Sequence, residues 1–243
     1  MLVRVTLVDI NPKMVEAWRS TFEANPEVEI VKGSMLEQPV SAWVSPTNAR
    51  GSMDGGLDAV IKRHLGPGIE SNLQAQIIRK YGMLNLPVGH AVAVPTGQVQ
   101  PRYLISTPTM VGSSEDISDS MNVALACAAA FQAVHMQNAA EPGSVRSVAL
   151  PGLGANTGQV PVEICADLMW TAYNLFRERE FDDFGAMRVA LQDILGDLGP
   201  MGTVGKSSAS GGVPKKAKPA PAVSTAPSEP APKKNDEDFD DFG

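Results

Sequence analysis

The sequence has few of the residues on which disulfide and metal sites depend. It contains two cysteines and three histidines among 243 residues. Cys127 and Cys165 lie far apart in apolar stretches, so we expect two buried thiols rather than a disulfide framework. The histidines lack the spacing of metal ligands, and the sequence predicts no metal site and requires no cofactor. Sparse cysteine without a disulfide pattern is typical of a reducing compartment and predicts a cytoplasmic protein.

Long hydrophobic runs and an excess of basic residues are also missing. No segment approaches the roughly 20 apolar residues of a membrane-spanning helix, and the short apolar start does not resemble a signal peptide, so we expect no membrane association. The formal net charge of −7 argues against a basic surface for nucleic acid along the whole sequence. Hydrophobic residues make up 43% of the chain, which is enough for a sizeable core.

The composition changes near residue 199. Residues 1–198 carry hydrophobic patterns and predict a single domain, whereas residues 199–243 are rich in Gly, Ser, Pro, Ala and Lys and predict a disordered linker and tail. The last segment, Asp236–Gly243, combines acids with Phe239 and Phe242. It is either a solubilising end or a short motif for a protein partner with a basic, apolar groove.

Strand patterns alternate with helix patterns within residues 1–198. Apolar and β-branched segments predict strands over 2–9, 28–31, 42–44, 91–95, 103–107 and 145–150. Helical spacing predicts helices that begin at residue 11 or 12, and helices over 57–65, 71–81, 117–136 and 161–179. Asp116 or Ser118 is the expected cap of the helix over 117–136. The alternation predicts an α/β fold with a mixed, largely parallel sheet between two helical layers.

Two glycine-rich loops each follow a predicted strand and lead into a helix. The first runs from Asn48 to Asp58 and the second from Pro151 to Gly158. Ligands of open α/β sheets bind beyond the carboxyl ends of the strands, and successive amides beside a helix N-terminus bind anions. Neither loop has the Walker A or the dinucleotide-binding pattern. Together the loops predict a site for a diphosphate held from both sides.

The order and spacing of these segments resemble the macro domain, the ADP-ribose-binding fold. The resemblance covers residues 33–175 and rests on Gly33-Ser34-Met35, Ser45-Pro46-Thr47-Asn48, Gly55-Gly56-Leu57-Asp58, the helix from Ala59 to Gly66, Pro87–Ala91, Val94–Gly97, Tyr103–Pro108 and Pro151–Gly158. The leading βα unit, residues 1–27, is similar to an N-terminal addition of some bacterial members. The chain is thus identified as a bacterial or phage-like member, and a three-layer α/β/α macro domain is expected.

The resemblance implies a role for each matching residue. Asn48 would bind the distal ribose, and Asp58 would position or activate a water near the anomeric carbon. Ser34 stands where the family has an acid that reads adenine, which makes Asp9 or Asp54 a candidate for that role. The remaining ligand-binding residues would face the diphosphate: Gly55, Gly56, Gly152, Gly154, Ala155, Asn156, Thr157 and Gly158.

The resemblance implies a protein that binds ADP-ribose or an ADP-ribosylated macromolecule and hydrolyses the ADP-ribosyl linkage. Two alternatives stay open: a non-catalytic module that binds ADP-ribose or a nucleotide, and an interaction protein that acts through its acidic, aromatic tail. Each proposed catalytic residue also has a structural interpretation. Asn48 is suited to a turn in which it bonds its own backbone, and Asp58 is suited to the N-terminal turn of a helix.

Overall fold

The structure is a computed structural model that describes residues 3–82 and 85–196. Helices and strands alternate along these residues. The strands are β1 (Arg4–Asp9), β2 (Glu29–Lys32), β3 (Ala42–Ser45), β4 (Val92–Pro95), β5 (Tyr103–Ser106) and β6 (Ser147–Leu150). The helices are α1 (Pro12–Thr21), α2 (Gly56–Leu65), α3 (Gly68–Tyr81), α4 (Asn122–Ala140), α5 (Val162–Glu178) and α6 (Phe184–Leu195), with a short 3-10 helix at Met35–Glu37.

The described strands form one sheet in the order β2-β1-β6-β3-β5-β4. β4 runs antiparallel to β5, and the other neighbouring pairs are parallel. The predicted mixed, largely parallel sheet is therefore confirmed. β1 lies inside the sheet, where Leu7 is opposite Ile30 of β2 on one side and Leu150 of β6 on the other.

The sheet lies between two helical layers because successive residues of a strand face opposite sides. On β3, Ala42 and Val44 pack into the larger core with α1, α4, α5 and α6. Trp43, between them, packs into the smaller core with α2 and α3. The three-layer α/β/α arrangement predicted from the alternating pattern is thus confirmed.

The beginning of α1 follows from two adjacent residues. The side-chain oxygen of Asn11 accepts a hydrogen bond from the amide of Lys13 at 3.0 Å. Pro12 occupies the first helical position, where a missing N–H costs nothing and its fixed φ suits a helix. The sequence prediction of a helix start at residue 11 or 12 is therefore correct.

The start of α4 was predicted wrongly. Sequence placed it at Ile117 with Asp116 or Ser118 as cap, but the helix begins at Asn122. Asp116 closes a turn instead, since its carboxylate accepts hydrogen bonds from the amide and the hydroxyl of Ser118. The amide of Ile117 donates to the carbonyl oxygen of Gly158 at 3.0 Å, which holds this segment against the second glycine-rich loop.

α6 was not predicted from the sequence. Asp183 caps this helix by accepting a hydrogen bond from the amide of Ala186 at 2.8 Å. Phe184, Met187 and Leu191 form its buried side, and they follow the spacing of an amphipathic helix. The signals were present in the sequence, but no element was predicted between residue 179 and the composition change near residue 199.

The predicted linker and tail over 199–243, including the motif Asp236–Gly243, lie outside the described residues, as does the boundary expected at residue 198. Within residues 3–82 and 85–196, no helix is long and apolar enough to cross a membrane.

Candidate functional site

The carboxyl ends of β1, β2, β3, β5 and β6 meet at one edge of the sheet because these strands are parallel. The two glycine-rich loops follow β3 and β6, which are direct neighbours with Trp43 opposite Ala149. The structure therefore brings both predicted loops together at the edge where α/β proteins bind ligands.

Buried hydroxyl groups lie at or just after the ends of the neighbouring strands β3 and β5. Ser45, Thr47 and Ser106 are fully buried. The hydroxyls of Thr47 and Ser106 are hydrogen-bonded to each other, which ties the segment after β3 to the end of β5. Burial without a partner would be costly for a hydroxyl, so these bonds keep the base of the site polar at little expense in stability.

Asp58 lies in the first turn of α2, and its carboxylate points back to the end of β3. The hydroxyl of Ser45 donates a hydrogen bond to Oδ1 of Asp58. Although the residue as a whole is half-buried, its carboxylate faces this buried serine. Burial raises the pKa of Asp58 to about 6, and the hydrogen bond from Ser45 opposes that rise. A pKa near neutrality suits a group that takes up or releases protons in a reaction.

Asn48 closes a turn at the start of the first loop. Its side-chain oxygen accepts hydrogen bonds from the amides of Arg50 at 3.0 Å and Ser52 at 3.1 Å. The backbone contacts expected of a turn residue are therefore present. With the oxygen fixed, the NH2 group of Asn48 points away from the turn, where it donates to the hydroxyl of Ser113 at 3.4 Å. This donor therefore faces the segment that follows β5.

The tip of the first loop consists of Asp54, Gly55 and Gly56, which are exposed. Gly55 is the N-cap of α2 without a capping side chain, and Gly56 has a φ of 54°. A Cβ added to either glycine would meet no atom within 4 Å, so the backbone is open to close approach. The first amides of α2 point into this space, as the first amides of a helix have no acceptor within the helix.

The second loop divides into amides that the protein uses and amides that it leaves open. The amide of Gly152 donates to Oδ2 of Asp9 at 3.1 Å, and so is held by the end of β1. Within the part of the chain that the structure describes, the amides of Ala155, Asn156 and Thr157 donate no hydrogen bond. The amides of Leu153, Gly154 and Gly158 donate none either, but these residues are buried, whereas residues 155–157 are half-buried or exposed. Residues 155–157 are therefore the part of the loop that is most open to an anion.

Two further glycines of the second loop shape its backbone. Gly154 has a φ of 76°, a conformation that favours glycine. At Gly158 an added Cβ would come within 2.7 Å of the carbonyl oxygen of Gly154. These glycines therefore permit the close folding that leaves residues 155–157 at the surface of the loop.

Two depressions of the described surface are lined by other elements. One depression beside β4 is lined by Gln76, Lys80 and Gln137, and another on α5 and α6 is lined by Trp170, Asn174 and Ile194. Neither depression is lined by a residue of the two glycine-rich loops. Within the described ranges, no group of three or more His, Cys, Asp or Glu side chains could hold a metal ion.

A family model described as the macro domain matches residues 44–169. The match includes both glycine-rich loops and Asp58. The chain belongs to the macro domain family. The family expected from the sequence is therefore confirmed.

Similar proteins support the assignment of this macro domain. An uncharacterized protein of Aquifex aeolicus is 34% identical over 168 residues, which cover 69% of this chain and 90% of that protein. A macro domain-containing protein in the sno 5′ region of Streptomyces nogalater is 32% identical, with coverages of 56% and 70%. An asparagine-to-alanine mutant of the Oceanobacillus iheyensis macrodomain superposes with a TM-score of 0.50 at 14% identity, with coverages of 67% and 85%. This structural likeness supports the fold alone.

Several residues of the candidate site were not predicted from the sequence. Ser45, Thr47 and Ser106 had no assigned role, although small hydroxyl residues after an apolar strand were a visible signal. The contact of Asp9 with Gly152 was not predicted either, since nothing in the sequence relates residues so far apart. Ser34, two residues after β2, caps the 3-10 helix by accepting the amide of Leu36 at 3.2 Å.

The raised pKa of Asp58 predicts an effect of pH on stability. Because the folded pKa is about 6, above the usual value of 3.8, burying the ionised carboxylate costs stability above pH 6. That cost disappears as pH falls through 6 towards 4. Asp58→Asn should therefore unfold at a higher urea concentration than wild type at pH 8, and the difference should shrink at pH 5. A difference that is the same at both pH values would contradict the assigned pKa.

Proposed function

We propose that this macro domain binds ADP-ribose, or the ADP-ribosyl group of a modified molecule, and hydrolyses the linkage to its acceptor. The observation that carries the proposal is the meeting of two glycine-rich loops and a desolvated carboxylate at one sheet edge. The loops follow neighbouring strands, and Asp58 is hydrogen-bonded to the last residue of the strand that precedes the first loop.

The binding part of the proposal rests on amide groups that have no other role. The start of α2 behind Gly55 and Gly56 and the amides of residues 155–157 belong to loops that follow the neighbouring strands β3 and β6, so both lie beyond the same edge of the sheet. A diphosphate carries negative charge and several acceptor oxygens, which suit open amides and the positive end of a helix dipole. We therefore place the diphosphate between the two loops.

The catalytic part of the proposal rests on Asp58. Water attacks the anomeric carbon of the distal ribose, while the bond from that carbon to the acceptor breaks and the acceptor keeps its electron pair. The carboxylate of Asp58 orients this water, accepts its proton and stabilises positive charge that develops on the ribose. Ser45 holds the carboxylate in place through its hydrogen bond.

The second candidate function is a module that binds the same ligand without cleaving it. The carboxylate of Asp58 faces the buried Ser45. If a bound ribose does not reach this carboxylate, the ligand is held without being cleaved. A protein of this kind would recognise ADP-ribosylated molecules and would not depend on Asp58 for that recognition.

The two functions differ in their dependence on Asp58. Titration calorimetry of the full chain with ADP-ribose should give a Kd in the micromolar range or tighter, which is roughly −8 kcal/mol. Asp58→Ala should keep this binding but lower the rate of release of ADP-ribose from modified protein or nucleic acid by about 100-fold, the usual size of general-base catalysis. Turnover of wild type that Asp58→Ala leaves unchanged would refute the role of Asp58. Binding without turnover on either substrate would favour the module, and no binding would refute both functions.

The role of Asn48 can be separated from its structural contacts. Asn48→Asp keeps the oxygen that accepts the amides of Arg50 and Ser52 but loses the NH2 donor that we assign to the ribose. Its affinity for ADP-ribose should fall by about tenfold or more, since a hydrogen bond to the ligand is lost and a charge is added. Ser113→Ala, which removes the other partner of that donor, is the matched control and should bind normally. Unchanged affinity in Asn48→Asp would leave Asn48 as a turn residue only.

Of the two acids considered for adenine, we favour Asp9. It lies beside Gly33, whose amide donates to the carbonyl oxygen of Asp9 at 3.1 Å, whereas Asp54 is exposed and contacts Lys62. The carboxylate of Asp9 accepts the amides of Asn11 and Gly152, and each of its oxygens keeps a further lone pair for an amino group.

A base analogue tests this choice. Wild type should bind ADP-ribose more tightly than its inosine analogue, which has a carbonyl in place of the amino group. In Asp9→Asn this preference should fall by about tenfold, since an amide can also donate to a carbonyl. Calorimetry gives the affinity for each ligand. If Asp9→Asn weakens the binding of both ligands equally, the ratio of the two affinities does not change. An unchanged ratio would exclude Asp9 from base recognition.

A further inference from the structure

The first glycine-rich loop is fixed to the protein everywhere except at its tip. Ala49 accepts the amide of Leu86 at 2.6 Å through its carbonyl oxygen. Gly51 has a φ of 69°, and an added Cβ would come within 2.8 Å of Ile77 on α3. Met53 is fully buried in the core formed with α2 and α3. Among the exposed residues of the loop, Gly55 and Gly56 are those that we assign to the ligand.

One charged residue fixes the loop at the point where it leaves the core. Glu70, in the first turn of α3, accepts the amide of Met53 through Oε1 at 2.7 Å. Its Oε2 lies 2.5 Å from the ammonium group of Lys62 on α2. Glu70 thus contacts both the loop before the tip and the helix after it, and its side chain is 19% exposed.

The ion pair holds the carboxylate in its charged form. The hydrogen bond from Lys62, followed by that from the amide of Met53, lowers the pKa of Glu70. Hydrogen bonds to charged acceptors are stronger than those between neutral groups. Lys62 also reaches Asp54 at 3.4 Å, but Asp54 is 76% exposed and this contact is weak by comparison.

We infer that Glu70 is a positioning residue for the ligand-binding loop: it sets the direction in which the backbone passes from Met53 to Gly55 and Gly56. This inference rests on the proposed function, in which these glycines face a diphosphate. A loop of open amides binds an anion well only if the amides are held in place before the anion arrives, because otherwise binding must order them. Glu70 supplies that order without touching the ligand.

The test combines amide exchange with ligand binding in the full chain. Glu70→Leu removes both acceptor oxygens at similar volume. Hydrogen–deuterium exchange in peptides covering residues 49–58 should become faster, while exchange in the strands stays as in wild type. The affinity for ADP-ribose, measured by calorimetry well below the melting temperature, should fall by about tenfold. Glu70→Gln keeps an acceptor for the amide of Met53 and should lose only about threefold, even if Glu70→Leu folds poorly.

Glu141→Gln is the matched control for loss of a glutamate. Glu141 pairs with Arg102 at 2.5 Å and accepts the hydroxyl of Tyr103 at 2.9 Å, so its contacts resemble those of Glu70. Tyr103 begins β5, which places this pair at the opposite edge of the sheet. Exchange in peptides covering residues 49–58 and ADP-ribose affinity should both match wild type in this control.

Either measurement can overturn the inference. Exchange that stays slow in Glu70→Leu would show that Glu70 does not hold the loop. Faster exchange with wild-type affinity would show that binding does not need the loop to be held. If wild type itself fails to bind ADP-ribose, the proposed function fails, and the exchange measurement still decides whether Glu70 anchors the loop.

Discussion

The parallel pairing of β3 with β6 is the constraint on which the site depends. The pairing is made through apolar residues, with Trp43 opposite Ala149 and Ala42 opposite Val148. Since both strands run in one direction, the loops that follow them leave the sheet side by side, although they are far apart in the chain. An antiparallel pair at this position would have sent the two sets of amides to opposite edges.

The electrostatics of the site follow from what surrounds Asp58. Its carboxylate is desolvated by the end of β3 and has a hydroxyl rather than a cation as its described partner. A diphosphate bound nearby would disfavour the ionised form further, because like charges repel. The start of α2 opposes this effect, since Asp58 lies where the helix dipole stabilises negative charge. The positive end of the α2 dipole thus stabilises both the negative charge of the proposed ligand and the ionised carboxylate of Asp58.

The sequence was a good guide wherever local signals agree with the tertiary structure. The apolar β-branched runs predicted each strand within a residue or two, and Asn11 with Pro12 predicted the start of α1. It failed at α4, where the contact of Ile117 with Gly158 overrides local helical preference. The sequence does not predict the hydrogen bonds from Met53 to Glu70 and from Gly152 to Asp9. These partners become neighbours only when the sheet and the helices have formed. The sequence therefore predicts which loops form the site better than what holds them.

The position of β1 inside the sheet has a consequence for synthesis of the protein. β1 can pair with β2 as soon as the first βα unit has emerged, but its other partner is β6, at Ser147–Leu150. Until that late segment has been translated, one side of an apolar strand has no partner. An open strand edge invites pairing with other chains. One side of β1 therefore stays unpaired in the nascent chain until Ser147–Leu150 has been made, and the sheet cannot be completed before the second glycine-rich loop is about to be made.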